Sequence, residues 1–214
     1  MAAEVRTRIK VCGITRAADA HFLAAAGVDA LGFIFAAKSP RRVSPEQARD
    51  IIRGLPPFVA PVGVFVDATA AEVAQIAAFC RLAAVQLHGS EPPELCRALA
   101  RPVVKAIRVG PHTRRQDLVP YLGAVAGLLF DTYQPGQAGG TGLAFDWSRL
   151  ADLAPPLPWI LAGGLAPANV GPAVARLHPY GVDLNSGVEQ APGIKDPALA
   201  LAALAAIRQA DLAR

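Results

Sequence analysis

Two side chains stand where an apolar run meets a turn, and both are of types that move protons. Cys12 follows Arg8-Ile9-Lys10-Val11 and opens onto Gly13-Ile14-Thr15, and Asp131 closes Gly127-Leu128-Leu129-Phe130. A thiol so placed is either a small buried hydrophobe or, as the thiolate, a base or nucleophile. The carboxyl either caps the loop that follows it or, set in an apolar mouth that raises its pKa, acts as a general acid. Together they offer one proton acceptor and one proton donor to a small substrate. Three glycine-bearing turns suggest anion binding: Gly139-Gly140-Thr141-Gly142, Gly163-Gly164 and Ser186-Gly187. Glycine lets backbone N–H groups approach an anion closely, and a short helix opening at Asn185-Ser186-Gly187 would aim more donors at the same point. Phosphate is therefore expected at Gly140, Thr141, Gly142, Gly163, Gly164, Ser186 and Gly187.

Arg41, in Ser39-Pro40-Arg41-Arg42, can bind a carboxylate through two parallel hydrogen bonds, although an ordinary solvated arginine reads the same way. His88, after Val85-Gln86-Leu87, is placed to line the same pocket, whereas His21, His112 and His178 fall in helical or loop segments. Cys80 and Cys96 fall in helical segments and read as core. His, Cys, Asp and Glu nowhere cluster at ligand spacing, so we expect no metal.

Residues so far apart in the chain need a repeating framework to meet, and the rest of the sequence supplies one. Short runs rich in β-branched residues predict strands at 8–12, 30–35, 62–66, 84–87, 103–109, 127–131, 159–162 and 181–184. Ala/Leu-rich segments predict helices at 17–26, 45–54, 70–79, 92–100, 114–122, 147–154, 167–176 and 197–210. Ser44-Pro45 and Asp196-Pro197 each place a capping side chain before a first-turn proline. The segment 114–122 has the fewest periodic apolar positions. Eight βα units in 214 residues predict an α/β fold, a single-domain (β/α)8 TIM barrel spanning residues 1–214. A doubly wound open sheet is the alternative, but its glycine-rich turn normally follows the first strand, whereas here such turns follow the sixth, seventh and eighth. In a barrel, functional residues sit at the C-terminal strand ends, where Cys12 and Asp131 fall.

Composition narrows the function. With 53% hydrophobic and 18% charged residues the chain is too apolar for disorder, and no apolar run reaches the ~18 residues of a membrane helix. The net charge of +4 is spread over scattered arginines and lysines, and 6% aromatics leave little to stack on bases, so nucleic acid is not an expected partner. A mildly basic protein does suit anionic small molecules. The first residues carry charges without an apolar stretch, and the cysteine count of three is odd. A cytoplasmic protein with free thiols is expected.

Several motifs, in order from the first strand to the last, resemble the phosphoribosylanthranilate isomerase family of tryptophan biosynthesis. They are Lys10-Val11-Cys12-Gly13-Ile14-Thr15, Gly32-Phe33-Ile34-Phe35, Ser39-Pro40-Arg41, Gly63-Val64-Phe65-Val66, Val85-Gln86-Leu87-His88-Gly89, Leu129-Phe130-Asp131-Thr132, Gly139-Gly140-Thr141-Gly142, Gly163-Gly164-Leu165 and Val182-Asp183-Leu184-Asn185-Ser186-Gly187-Val188-Glu189. The first and last of these are specific to that family among phosphate-binding barrels. Two departures, Ala162 and Asn185, replace serines common in the family. The resemblance implies a cofactor-free Amadori rearrangement of N-(5-phosphoribosyl)anthranilate. It makes Asp131 the general acid, Cys12 the general base, Arg41 the holder of the anthranilate carboxylate and the glycine turns the phosphate site. His88 and Asp183 would line the pocket in supporting roles. The expected partner is a small phosphosugar, bound by a monomer or homodimer. Sister phosphate barrels typically use Lys/Glu or paired Asp chemistry and do not open with Lys-Val-Cys-Gly-Ile-Thr. A silent, metabolite-sensing barrel would tolerate loss of Cys12 or Asp131, and both are present.

Overall fold

The computed structural model describes residues 6–131, 150, 153 and 155–213. Eight strands, β1 (Arg8–Val11), β2 (Ala30–Ile34), β3 (Ala60–Phe65), β4 (Ala84–Leu87), β5 (Val103–Arg108), β6 (Gly127–Asp131), β7 (Trp159–Ala162) and β8 (Gly181–Leu184), pair in chain order. All neighbours are parallel and β8 pairs back to β1, with Ile9 opposite Val182 and Lys10 opposite Asp183. The sheet is thus a closed (β/α)8 barrel, and the open-sheet alternative is excluded.

Helices α1 (Ala17–Ala25), α2 (Pro45–Arg53), α3 (Ala70–Phe79), α4 (Pro93–Ala98), α5 (Pro167–Leu177) and α6 (Pro197–Leu212) connect or follow the strands. Two begin as the sequence predicts. Ser44 Oγ accepts the Gln47 N–H while the Gln47 side chain accepts the Ser44 N–H, with Pro45 in the first turn of α2. Asp196 likewise accepts the Leu199 N–H at the start of α6. The helix expected at 114–122 is instead a 3-10 helix, Arg115–Tyr121, that buries only Leu118 and contains Pro120. Without an apolar stripe or a full set of N–H donors, an α-helix there has little to stabilise it. Of the helix expected at 147–154, Leu150 and Leu153 are described, and both are buried. The sequence reading also missed an antiparallel hairpin, β9 (Glu189–Ala191) and β10 (Ile194–Lys195), which turns at Gly193 with φ +81°. Among the described residues no helix is long and apolar enough to cross a membrane.

Side chains alternate across each strand, and the two faces have separate tasks. Outward residues, among them Phe33, Phe65, Leu87, Leu128, Phe130 and Leu161, pack beneath the helices in the main core. Fully burying one such side chain contributes about 1.5–3 kcal/mol, so most of the barrel's apolar packing lies in this outer layer. The inner face is therefore open to other uses. It carries a small apolar layer of Ala106, Leu129 and Ala162, a second layer of Cys12, Ile34 and Val64, and the buried polar side chains of Lys10, Gln86 and Asp183. The polarity lies at the C-terminal mouth.

Candidate active site

A cavity of about 470 Å³ opens at that mouth, a size suited to a small ligand. Cys12, Arg41, His88, Asp131, Gly163, Gly164, Asp183 and Ser186, eight of the residues singled out in the sequence, line it. Gly187 adjoins it from the loop after β8. Gly140, Thr141 and Gly142 lie outside the described residues.

On one side stands Asp131, at the end of β6. His88 Nε2 lies 3.1 Å from Asp131 Oδ2, and Gln86 Nε2 lies 2.9 Å from His88 Nδ1. An amide nitrogen only donates, so Nδ1 accepts, Nε2 keeps its hydrogen, and His88 donates to Asp131. The carboxyl is thereby held through Oδ2.

Cys12 lies on β1's end, 5% exposed, its N–H donating to Leu184 O at 2.8 Å. Burial pushes its thiol above the ordinary value; Lys10 and Lys195 pull it down, while the Asp183 charge adds to the rise. Cationic neighbours are thus at hand, but desolvation outweighs them. Lys10 Nζ meets Asp183 Oδ2 at 2.6 Å inside the barrel, and although burial opposes its charge, Asp183 and Cys12 hold the Lys10 pKa above the usual lysine value. Asp183 Oδ1 is buried without a hydrogen-bond partner. Gly32 makes room for this cluster: a Cβ there would sit 2.8 Å from Cys12 Sγ and 3.0 Å from Lys10 Nζ.

The loop after β2 folds back on its strand, Ile34 bridging to Arg42, and this brings Arg41 to the rim. Arg41 Nε bonds both Glu189 oxygens at 2.9 and 3.0 Å and Nη2 bonds Oε2 at 2.6 Å. The Glu189 hydrogen bonds raise the Arg41 pKa, and Nη1 has no partner among the described residues. Glu189 Oε1 also accepts from Lys195 Nζ at 2.7 Å, and Lys195 reaches Asn185 Oδ1 at 3.1 Å. Burial alone would raise the Glu189 carboxyl, but the bonds from Arg41 and Lys195 bring it below the usual carboxylate range. Burial lowers the Lys195 pKa.

The glycine turns follow β7 and β8. Gly163 and Gly164 have φ of +91° and +65°, in the left-handed region that glycine adopts without strain. A Cβ on Gly164 would meet nothing within 4 Å, whereas one on Gly187 would overlap the Leu165 carbonyl oxygen. The loops after β7 and β8 are thus in backbone contact, and the second enters a 3-10 turn, Ser186–Val188, as expected. Among the described residues no three His, Cys, Asp or Glu side chains converge as metal ligands.

Sequence spacing did not single out Lys10, Gln86, Glu189 or Lys195 as site residues. The first two carried a usable signal, since each stands two residues before a candidate, Cys12 or His88, and so shares its face of a strand.

Fold and mouth together define a class: the (β/α)8 barrel enzymes that hold a small anionic substrate over the C-terminal strand ends. Within that class, residues 9–204 match the model of the N-(5'-phosphoribosyl)anthranilate isomerase family. An N-(5'-phosphoribosyl)anthranilate isomerase of Pseudomonas putida strain F1 is 50% identical over 204 residues, covering 95% of this chain and 98% of that one. The crystal structure of phosphoribosyl anthranilate isomerase from Thermus thermophilus superposes with a TM-score of 0.85 at 41% identity, over 95% of this chain and 99% of that one. A third relative, crystallised with reduced 1-(o-carboxyphenylamino)-1-deoxyribulose 5-phosphate, gives a TM-score of 0.82 at 38% identity with the same coverage. The chain belongs to the phosphoribosylanthranilate isomerase family.

Proposed function

We infer that this chain converts N-(5'-phosphoribosyl)anthranilate to 1-(2-carboxyphenylamino)-1-deoxyribulose 5-phosphate in tryptophan biosynthesis. The observation that carries the reading is the convergence on one cavity of Cys12 and Asp131, with Arg41 at the rim and the glycine turns beside them. Asp131 protonates the ribose ring oxygen, the ring C1–O bond breaks, and the anilino nitrogen's lone pair forms the iminium. Cys12, as thiolate, then removes the C2 proton to give an enolamine. Tautomerisation yields the ketose. The sequence of steps is redox-neutral and moves only protons and electron pairs, so it calls for no cofactor.

Binding follows the same geometry. Arg41, already fixed by Glu189, presents Nη1 to the anthranilate carboxylate. The backbone of Gly163, Gly164, Ser186 and Gly187, with Gly140, Thr141 and Gly142 from the loop after β6, takes the phosphate. Asp183 Oδ1, buried and unpartnered, is an acceptor awaiting a hydroxyl, and a ribose supplies one. His88 keeps Asp131 oriented. We place the enzyme in the cytoplasm, as one barrel domain over its whole length. Every one of these groups comes from a single chain, so a monomer and a homodimer carry the same site. Anthranilate fluorescence during turnover of freshly generated phosphoribosylanthranilate tests the reading: the signal changes with conversion, whereas a silent, metabolite-sensing barrel leaves it constant.

A further inference from the structure

Hairpin β9–β10 brings to the mouth two charged residues that the reaction scheme leaves unused. The Lys195 side chain is 1% exposed, and its ammonium is held by Glu189 and Asn185. Gly13, the residue after Cys12, has no side chain; a Cβ there would lie 3.5 Å from Lys195 Nζ and 2.7 Å from Arg41 Cδ. The ammonium therefore sits over the turn that leaves Cys12. Glu189, 3% exposed, binds Lys195 through one oxygen and Arg41 through both, which ties the three side chains into one unit. A lysine buried this deeply is costly unless its charge is paired or used.

The charged groups facing Cys12 come from four elements: Lys10 from β1, Asp183 from β8, Arg41 from the loop after β2 and Lys195 from β10, with Glu189 behind the last two. Lys10 and Asp183 form a close ion pair and largely offset one another. Arg41, Glu189 and Lys195 instead leave one positive charge in excess, the field that favours a thiolate. Burial raises the Cys12 thiol, and Lys195 is one of the two lysines opposing that rise.

We propose that Lys195 is a positioning residue that supplies the counter-charge of the Cys12 thiolate, and that Glu189 locks Lys195 to Arg41 so that the base and the carboxylate site keep one geometry. This rests on the reading of Cys12 as the base and adds the group that readies it.

The test is the pH dependence of iodoacetamide alkylation at Cys12, measured peptide by peptide by mass spectrometry on the full chain, for wild type, Lys195→Met and Lys195→Arg. The alkylation midpoint rises by about one to two pH units in Lys195→Met, the usual size of the effect of one opposite charge at close range. The rising limb of kcat/KM moves with it, and Lys195→Arg restores both. If Lys195→Met does not fold, Lys195→Gln, which keeps a donor for Glu189 without the charge, carries the same measurement. An unchanged midpoint in the neutral variant overturns the proposal. Alkylation needs no substrate, so the two readings fail separately: normal turnover by Cys12→Ala removes the base itself, whereas an unmoved midpoint removes only the role of Lys195.

Discussion

His88 Nε2 and Asp131 Oδ2 lie 3.1 Å apart across the mouth, and Gln86, bonded to the other ring nitrogen at 2.9 Å, determines which way the proton points. Gln86 is 2% exposed and on the inner face of β4, so its amide is not free to be replaced by water. In Gln86→Leu the imidazole loses its fixed tautomer, and the carboxyl loses its orientation. We expect kcat to fall about tenfold, a fraction of the 10²- to 10⁴-fold that a positioned acid supplies, with KM nearly unchanged. Steady-state kinetics separates this from a binding defect, which would move KM instead.

Arg41→Met tests recognition at the rim. Losing one partner of a desolvated charge pair costs about 2–4 kcal/mol, which corresponds to about 30- to 700-fold in KM. Lys195 still neutralises Glu189 in this variant, so the fold persists. Free phosphate, bound at the glycine turns, should protect the variant from heat as well as it protects wild type.

Two glycines separate anion binding from packing. Gly164 faces open space with φ +65°, so Gly164→Val strains the backbone and puts a side chain where the phosphate belongs; the melting temperature should fall and the phosphate protection against thermal unfolding should vanish. Gly187→Ala drives a Cβ into the Leu165 carbonyl oxygen, so it lowers the melting temperature even without phosphate. The shift that phosphate produces in thermal melts distinguishes the two: it is lost in Gly164→Val and kept in Gly187→Ala.

Beneath the loop that carries His88, Lys105 Nζ bonds Glu91 Oε2 at 3.0 Å and Gly89 O at 2.7 Å, the side chains of the pair being 3% and 1% exposed. Glu91 in turn accepts the N–H groups of Asp67 and Gly89. Lys105→Met leaves that carboxylate buried without its cation, a change that typically costs about 3–5 kcal/mol. Urea unfolding should show the loss, and Lys105→Met with Glu91→Gln should recover part of it.

The strand ends were legible because the apolar runs are short and most stop at or just before a glycine or a charged residue, as at Cys12-Gly13 and Asp131, and chain-order pairing then forces the barrel. The capped starts of α2 and α6 were legible for the same local reason. Hairpin β9–β10 was not, since five residues in two short strands around Pro192-Gly193 look like any loop. Glu189 and Lys195 were hidden differently: their partners Arg41 and Cys12 stand far off in the chain, and only the folded hairpin makes them neighbours. The segment 114–122 failed as an α-helix because Leu118 is the only residue it buries.

Fluorescence-monitored turnover by Cys12→Ala asks whether Cys12 is the base. The proposed steps turn on proton transfer, and the base must be deprotonated to act. Burial raises the thiol, so wild-type kcat/KM should climb with pH through neutrality. Cys12→Ala should lose about 10²- to 10⁴-fold or more in turnover at every pH while phosphate still protects it from heat, and Cys80→Ala and Cys96→Ala should retain activity. Turnover by Cys12→Ala at a rate near that of wild type would mean that another group takes the C2 proton.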